Sequence, residues 1–106
     1  MYLQDFVFLN DTSTDTTSNA LVVNSKAETL KLSVEGASVS NLVVQGKVNR
    51  DSATFFDLAV INLSSFATAA KIENSGLYAV DVQGIKEVRV KHSGSAGGIT
   101  VYGVVV

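Results

Sequence analysis

The stretch GLYAVDVQGIKEVRVKHSG, running from Gly76 to Gly94, decides how this chain is read. Tyr78, Val80 and Val82 recur with a period of two, which places them on one face of an extended segment. Beyond Gln83-Gly84, Val88, Val90 and His92 recur in the same way, with Arg89 and Lys91 between them. The spacing predicts two strands and a turn, the glycine supplying the reversal. His92 is the sole histidine, and Lys86, Arg89 and Lys91 are close to it in sequence. Alternation nevertheless separates them: the cations line one face and the imidazole the other. The expected role of His92 is therefore a half-buried, hydrogen-bonded side chain at a strand end.

The same period runs through the rest of the chain. Leu30, Leu32 and Val34 alternate with Lys31, Ser33 and Glu35, and Leu42, Val44, Gly46 and Val48 with Val43, Gln45, Lys47 and Asn49. Ile99, Val101, Gly103 and Val105 alternate with Thr100, Tyr102, Val104 and Val106. That last segment is apolar on both faces at its end, so it belongs in a sheet interior or at a subunit contact. Turn signals separate the runs, at Glu35-Gly36-Ala37-Ser38, Asn49-Arg50-Asp51-Ser52, Glu73-Asn74-Ser75-Gly76 and Gly94-Ser95-Ala96-Gly97-Gly98, the last read as a hairpin connection. No window sustains a helical period; Ser64 to Lys71 has room for one helical turn but favours extended structure. The predicted fold is all-β: a single antiparallel β-sandwich, Ig-like or jelly-roll-like, with about eight short strands. It occupies residues 1–106, of which 1–19 form an N-terminal strand or arm followed by a polar loop over 10–19. In the arm, Phe6 and Phe8 fall on one face and Val7 and Leu9 on the other.

Bulk composition narrows the function. A chain of 106 residues fits one domain with a core of its own. A net charge of −2 and a pI near 5.1 argue against broad attraction to nucleic acid or to an anionic membrane. Without cysteine there are no disulfides and no thiolate metal sites. Met1 to Asp5 carry neither a basic n-region nor an apolar h-region, so no signal peptide is expected. Apolar runs such as Leu58-Ala59-Val60-Ile61 are too short to cross a bilayer.

Templates for chemistry fit poorly. A Ser-His-Asp arrangement needs a base beside a serine on a strained turn, and no Gly-x-Ser-x-Gly occurs. Asp51, Asp57, Glu73 and Asp81 are carboxylates that spacing alone does not pair. In the polar tract, Asp11, Ser13 and Asp15 stand at alternate positions as calcium ligands do, but Thr16 replaces the glycine and Val22 the bidentate glutamate. The glycines of residues 94–98 lack the lysine and helix of a phosphate loop. No catalytic residue, metal or cofactor is expected. Phe55 and Phe56, as strand neighbours, should send one ring to the core and one outward. Tyr2, Tyr78 and Tyr102 have the amphipathic rings of a sugar-stacking platform, although core or interface packing is the stronger reading.

Two stretches carry a family likeness. Val44-Gln45-Gly46-Lys47-Val48-Asn49-Arg50-Asp51-Ser52-Ala53-Thr54-Phe55-Phe56-Asp57-Leu58 resembles the strand-turn-strand pattern G-x-V-D-G-x-x-W-x-x-L of small β-sandwich proteins of tailed-bacteriophage virions. Gly76 to Val90 resembles the G-L-Y-x-V-D-V-x-G-L-x-x-V-R-V that follows there, and Ile99-Thr100-Val101-Tyr102-Gly103 the closing x-V-T-V-x-G strand. Asp51-Ser52 replaces the usual Asp-Gly turn, and Phe55 the usual tryptophan. The likeness runs from Thr29 to Val106 and its motifs contain no reactive group. It implies a non-enzymatic virion structural protein, such as a capsid decoration protein that reinforces the shell by bridging its subunits. The implied partners are the major capsid protein or another virion protein and further copies of the chain, a trimer being plausible. The alternative is a tail- or fibre-associated module that binds a surface glycan or receptor. Tyr2, Phe6, Phe8, Phe55, Tyr102, Val104 and Val106 are the candidate interface residues.

Overall fold

The computed structural model describes residues 4–36, 39–94 and 98–106, and these contain strands and no helix. Eleven strands follow one another: β1 (Gln4–Thr12), β2 (Thr16–Thr17), β3 (Leu21–Val22), β4 (Thr29–Glu35), β5 (Asn41–Lys47), β6 (Phe56–Leu58), β7 (Val60–Asn62), β8 (Thr68–Ala69), β9 (Gly76–Asp81), β10 (Glu87–Ser93) and β11 (Ile99–Val105). All pairings are antiparallel. A six-stranded sheet has the order β1-β11-β4-β9-β7-β8, and a five-stranded sheet the order β2-β10-β5-β6 with β3 also on β10. The fold is the β-sandwich that the alternation predicts. The strand count is higher because segments of two or three residues carry no readable period.

The core lies between the sheets. Leu30, Leu32 and Val34 from β4, Val80 from β9 and Ile99, Val101 and Val105 from β11 face Leu42 and Val44 from β5 and Val88 and Val90 from β10. All are essentially inaccessible to water, and fully burying one such aliphatic side chain contributes about 1.5–3 kcal/mol. Val48 was expected to continue the inward row of β5. It is exposed instead, since pairing stops at Lys47.

The chain changes sheets repeatedly. β9 belongs to the six-stranded sheet and β10 to the five-stranded one, so Val82 to Lys86 forms an arch and no hairpin. The link from β10 to β11 likewise passes between sheets, which corrects its reading as a hairpin connection; its residues 95–97 lie outside the described ones, as do Ala37 and Ser38. Leu58-Ala59-Val60-Ile61 is a corner, with β6 in one sheet and β7 in the other. The polar tract is also tied down. Thr16 and Thr17 pair with His92 and Lys91, and the backbone N–H of Ser18 donates to the Val90 carbonyl at 2.8 Å.

A bulge shapes β1. Val7 pairs with Tyr102 and Leu9 with Val101, a register shift that leaves Phe8 unpaired between them. Phe8 and Leu9 consequently both enter the core, and the predicted separation of Leu9 from the phenylalanines fails at this point. Phe6 meets Phe8 edge to face, with ring centroids 4.8 Å apart. Glycine at position 103 makes this packing feasible, because a Cβ there would stand 2.6 Å from Phe8 Cε2 and 3.2 Å from Leu30 Cδ1. Gly103→Val is expected to lower stability by about 2–3 kcal/mol in urea unfolding; wild-type stability would contradict the seating of Phe8 on Gly103.

Candidate contact surface

Strand pairing fixes what each sheet presents outward, because directly opposed residues share a face. Across the six-stranded sheet one outward row reads Val7, Tyr102, Ser33, Leu77. The next reads Asp5, Val104, Lys31, Ala79, Ile61, Thr68. Val7, on the edge strand, and Leu77, Tyr102 and Ile61, on interior strands, are exposed by 53%, 56%, 44% and 40%, a cluster of exposed apolar and aromatic side chains on one face. Leu63 joins the row through a 2.9 Å bond from its N–H to the Leu77 carbonyl. Between these rows runs a groove of about 440 Å³, floored by Leu77, Leu63, Tyr102 and Val104 and edged by Asp5, Lys31 and Ser33.

The outward face of the five-stranded sheet is richer in charge, although Val22, paired with Glu87, is 49% exposed there. Gln45, Lys47, Glu87, Arg89 and Asp57 occupy its paired positions. Arg89 Nε donates to Gln45 Oε1 at 3.0 Å, and Gln45 Nε2 donates to Asp57 Oδ1 at 2.9 Å. Glu87 Oε2 lies 3.8 Å from Lys47 Nζ and 3.7 Å from Arg50 Nε. Lys47 Nζ also donates to the carbonyls of Arg50 and Ser52, latching the loop before β6. Glu87 thus faces two cations, and Gln45 bridges Arg89 to Asp57.

The residues singled out in the sequence distribute unevenly over these surfaces. Tyr102 and Val104 are on the apolar face, as an interface reading requires. Val106 is half-buried at the chain end, its N–H and carbonyl bonded to Thr29 and Glu28. Phe8 is a core residue and Phe6 packs against the core. Phe55 precedes β6 rather than forming part of a strand. Its ring is half-buried beneath the Arg89 guanidinium, 4.0 Å from the centroid, and the Lys47 ammonium, 4.9 Å away. Neither ring of the doublet reaches the core, since Phe56 is 68% exposed on the edge strand. Tyr2 lies outside the described residues. Tyr78 is buried, its hydroxyl donating to the Asn74 carbonyl at 2.7 Å, and burial raises its pKa above the ordinary tyrosine value.

His92 is 1% exposed and faces the sandwich interior, opposite Leu42 and Thr16. The expected hydrogen bond is not formed: neither ring nitrogen has a partner among the described residues. Arg89 and Lys91 do point the other way, so charge and imidazole never converge. Asp11, the first residue of the calcium-like pattern, lies against Gly98 and its N–H donates to Thr100 Oγ1 at 3.0 Å. Among the described residues no three His, Asp or Glu side chains gather as a metal site would require.

One prominent residue was missed in the sequence. Phe66, in the β7–β8 turn, is 77% exposed and has φ of 59°. A left-handed backbone costs a bulky residue about 1–2 kcal/mol, and turns usually avoid it with Gly or Asn. The turn nevertheless holds this conformation through several bonds. Phe66 N–H donates to the Asn62 carbonyl at 2.7 Å, Asn62 N–H to the Ala67 carbonyl at 2.9 Å and Ser64 N–H to Asn62 Oδ1 at 2.8 Å. The available signal was an aromatic inside Leu58 to Ala70, a segment without a single charge.

No family model matches the chain, and no curated protein does. Two solved structures share its fold. The SPBc2 prophage-derived protein YomS superposes with a TM-score of 0.86 at 20% identity, over 98% of this chain and 92% of that one. The PBSX exported protein XepA superposes with a TM-score of 0.87 at 24% identity, over 98% of this chain but 37% of that one, so this chain spans little more than a third of XepA.

Replacing His92 with leucine removes two unsatisfied buried nitrogens and keeps the apolar volume. His92→Leu is expected to retain or raise stability, by up to about 2 kcal/mol, in chemical denaturation. A loss of comparable size would show that the imidazole contributes through a polar contact.

Proposed function

We propose that this protein is a non-enzymatic structural component of a bacteriophage particle, a capsid decoration protein that reinforces the shell by bridging its subunits. The observation that carries this reading is the contrast between the two outward faces. A sandwich that served only to remain folded in water would expose polar groups on both, whereas here one sheet presents Val7, Tyr102, Leu77 and Ile61 around a groove. An exposed cluster of apolar side chains rimmed by polar ones, here Asp5, Lys31 and Ser33, marks a contact surface. The fold shared with two prophage-derived proteins and the phage-like motifs in Val44–Leu58 and Gly76–Val90 support the particle as its setting. Bridging is a matter of shape, apolar area and many weak contacts acting together, and no covalent step is needed. The sealed position of His92 suits a core residue better than a base, which must reach its proton.

A second reading rests on Tyr102. Its ring lies in the groove with Asp5, Lys31 and Ser33 at the edge, an arrangement that suits a sugar stacked on an aromatic face and hydrogen-bonded at its rim. No phenylalanine shares the groove, which weakens this alternative, and a screen of host polysaccharides that detects binding abolished by Tyr102→Ala would establish it.

The decoration reading is tested by adding purified protein to shells that lack it. It is expected to co-sediment and to raise the temperature at which the shell disrupts. Leu77→Asp, on an exposed side chain, is expected to weaken binding at least about tenfold, equivalent to roughly 1.4 kcal/mol, with its own fold intact. Absence of binding, or binding indifferent to Leu77→Asp, would contradict it.

A further inference from the structure

Phe66 and the groove are complementary features on one molecule, and we infer that they fit each other in trans: Phe66 of one copy seats in the groove of a second copy. The inference rests on the reading above that the apolar face is a contact surface, and it names the occupant of that face. Three observations converge on a second copy of this chain. The first is the backbone. A phenylalanine held at φ 59° with its side chain 77% exposed buries little of its ring within its own fold, and strained conformations of this kind persist where the presented side chain has a use.

The second is charge. The tip of the hairpin, from Ser64 to Ala67, contains no ionisable residue, so it can press against Leu77, Leu63 and Tyr102 of the second copy while Asp5 and Lys31 stay at the groove's edge. A partner surface rich in charge would not match it. The third is size. The groove of about 440 Å³ falls in the range of pockets that enclose a small ligand, and one aromatic ring with its neighbouring turn atoms fills such a space.

Phe66 and the groove can meet reciprocally about a two-fold axis or head to tail, each copy giving Phe66 to one neighbour and receiving it from another. This arrangement has a signature that distinguishes it from face-to-face pairing. A variant without the knob still has a hole, and a variant without the hole still has a knob.

The test is the mass of the purified protein in solution, without shells, by light scattering across a concentration series. Wild type is expected to assemble, while Phe66→Asn and Leu77→Asp are each expected to remain monomeric. An equimolar mixture of the two variants should form a one-to-one dimer and stop there, through the single intact contact. In the monomeric Leu77→Asp background, Phe66→Asn should raise Tm by about 4–8 °C, since asparagine accepts the left-handed backbone. A contact residue that stabilises the monomer when removed is something a merely structural role would not produce. Monomeric wild type, Phe66→Asn with wild-type mass, or a mixture that stays monomeric would each overturn the inference. Because shells are absent, these outcomes are separable from a failure to bind shells.

Discussion

Everything in this fold turns on β11, a strand that is apolar on both sides and lies between β1 and β4. Its inward side chains, Ile99, Val101 and Val105, are covered completely by the opposing sheet. Its outward side chains, Tyr102 and Val104, meet Val7 and Asp5 of β1 on one side and Ser33 and Lys31 of β4 on the other, and line the open groove. Burial of apolar area is the dominant favourable contribution to both folding and association. A strand of this composition therefore has one need met within the chain and a second that association would meet. The glycine in its middle serves the first need, since Phe8 lies where a side chain at Gly103 would be.

Much of this was legible in the sequence because alternation is a local property. The inward rows of β4, β5, β10 and β11 followed directly from a period of two, and so did the divergence of Arg89 and Lys91 from His92. What failed was non-local. Alternation does not reveal which strands pair, so β9 and β10 read as neighbours although they lie in opposite sheets. The bulge at Phe8 brings Leu9 inward, against its sequence parity. Phe55 was expected to choose between core and solvent and instead lies beneath two cations on the outward face. His92 was expected to be half-buried with a partner, and it is sealed in without one.

The contact surface was half legible. Tyr102 and Val104 were visible because a strand apolar on both sides is conspicuous, whereas Leu77, Leu63 and Ile61 joined them only once strand register placed them in adjacent rows. Phe66 could not be identified from pattern, as its significance lies in a backbone angle that no local rule assigns to phenylalanine. The energetics of the two surfaces also differ. The charged face engages Lys47 and Arg50 with Glu87 and links Arg89 to Asp57 through Gln45. On the proposed reading, the strained Phe66 trades some stability of the isolated chain for association, a common pattern at functional positions.

Hydroxyl-radical footprinting of wild-type protein above and below its assembly concentration addresses the central claim directly, because it reads side-chain exposure at each position. Labelling of Tyr102, Leu77 and Phe66 is expected to fall several-fold on assembly, while Phe56, equally exposed in the single chain but remote from the groove, keeps its reactivity. Protection of Phe56 with Tyr102 and Phe66 still fully labelled would contradict the account.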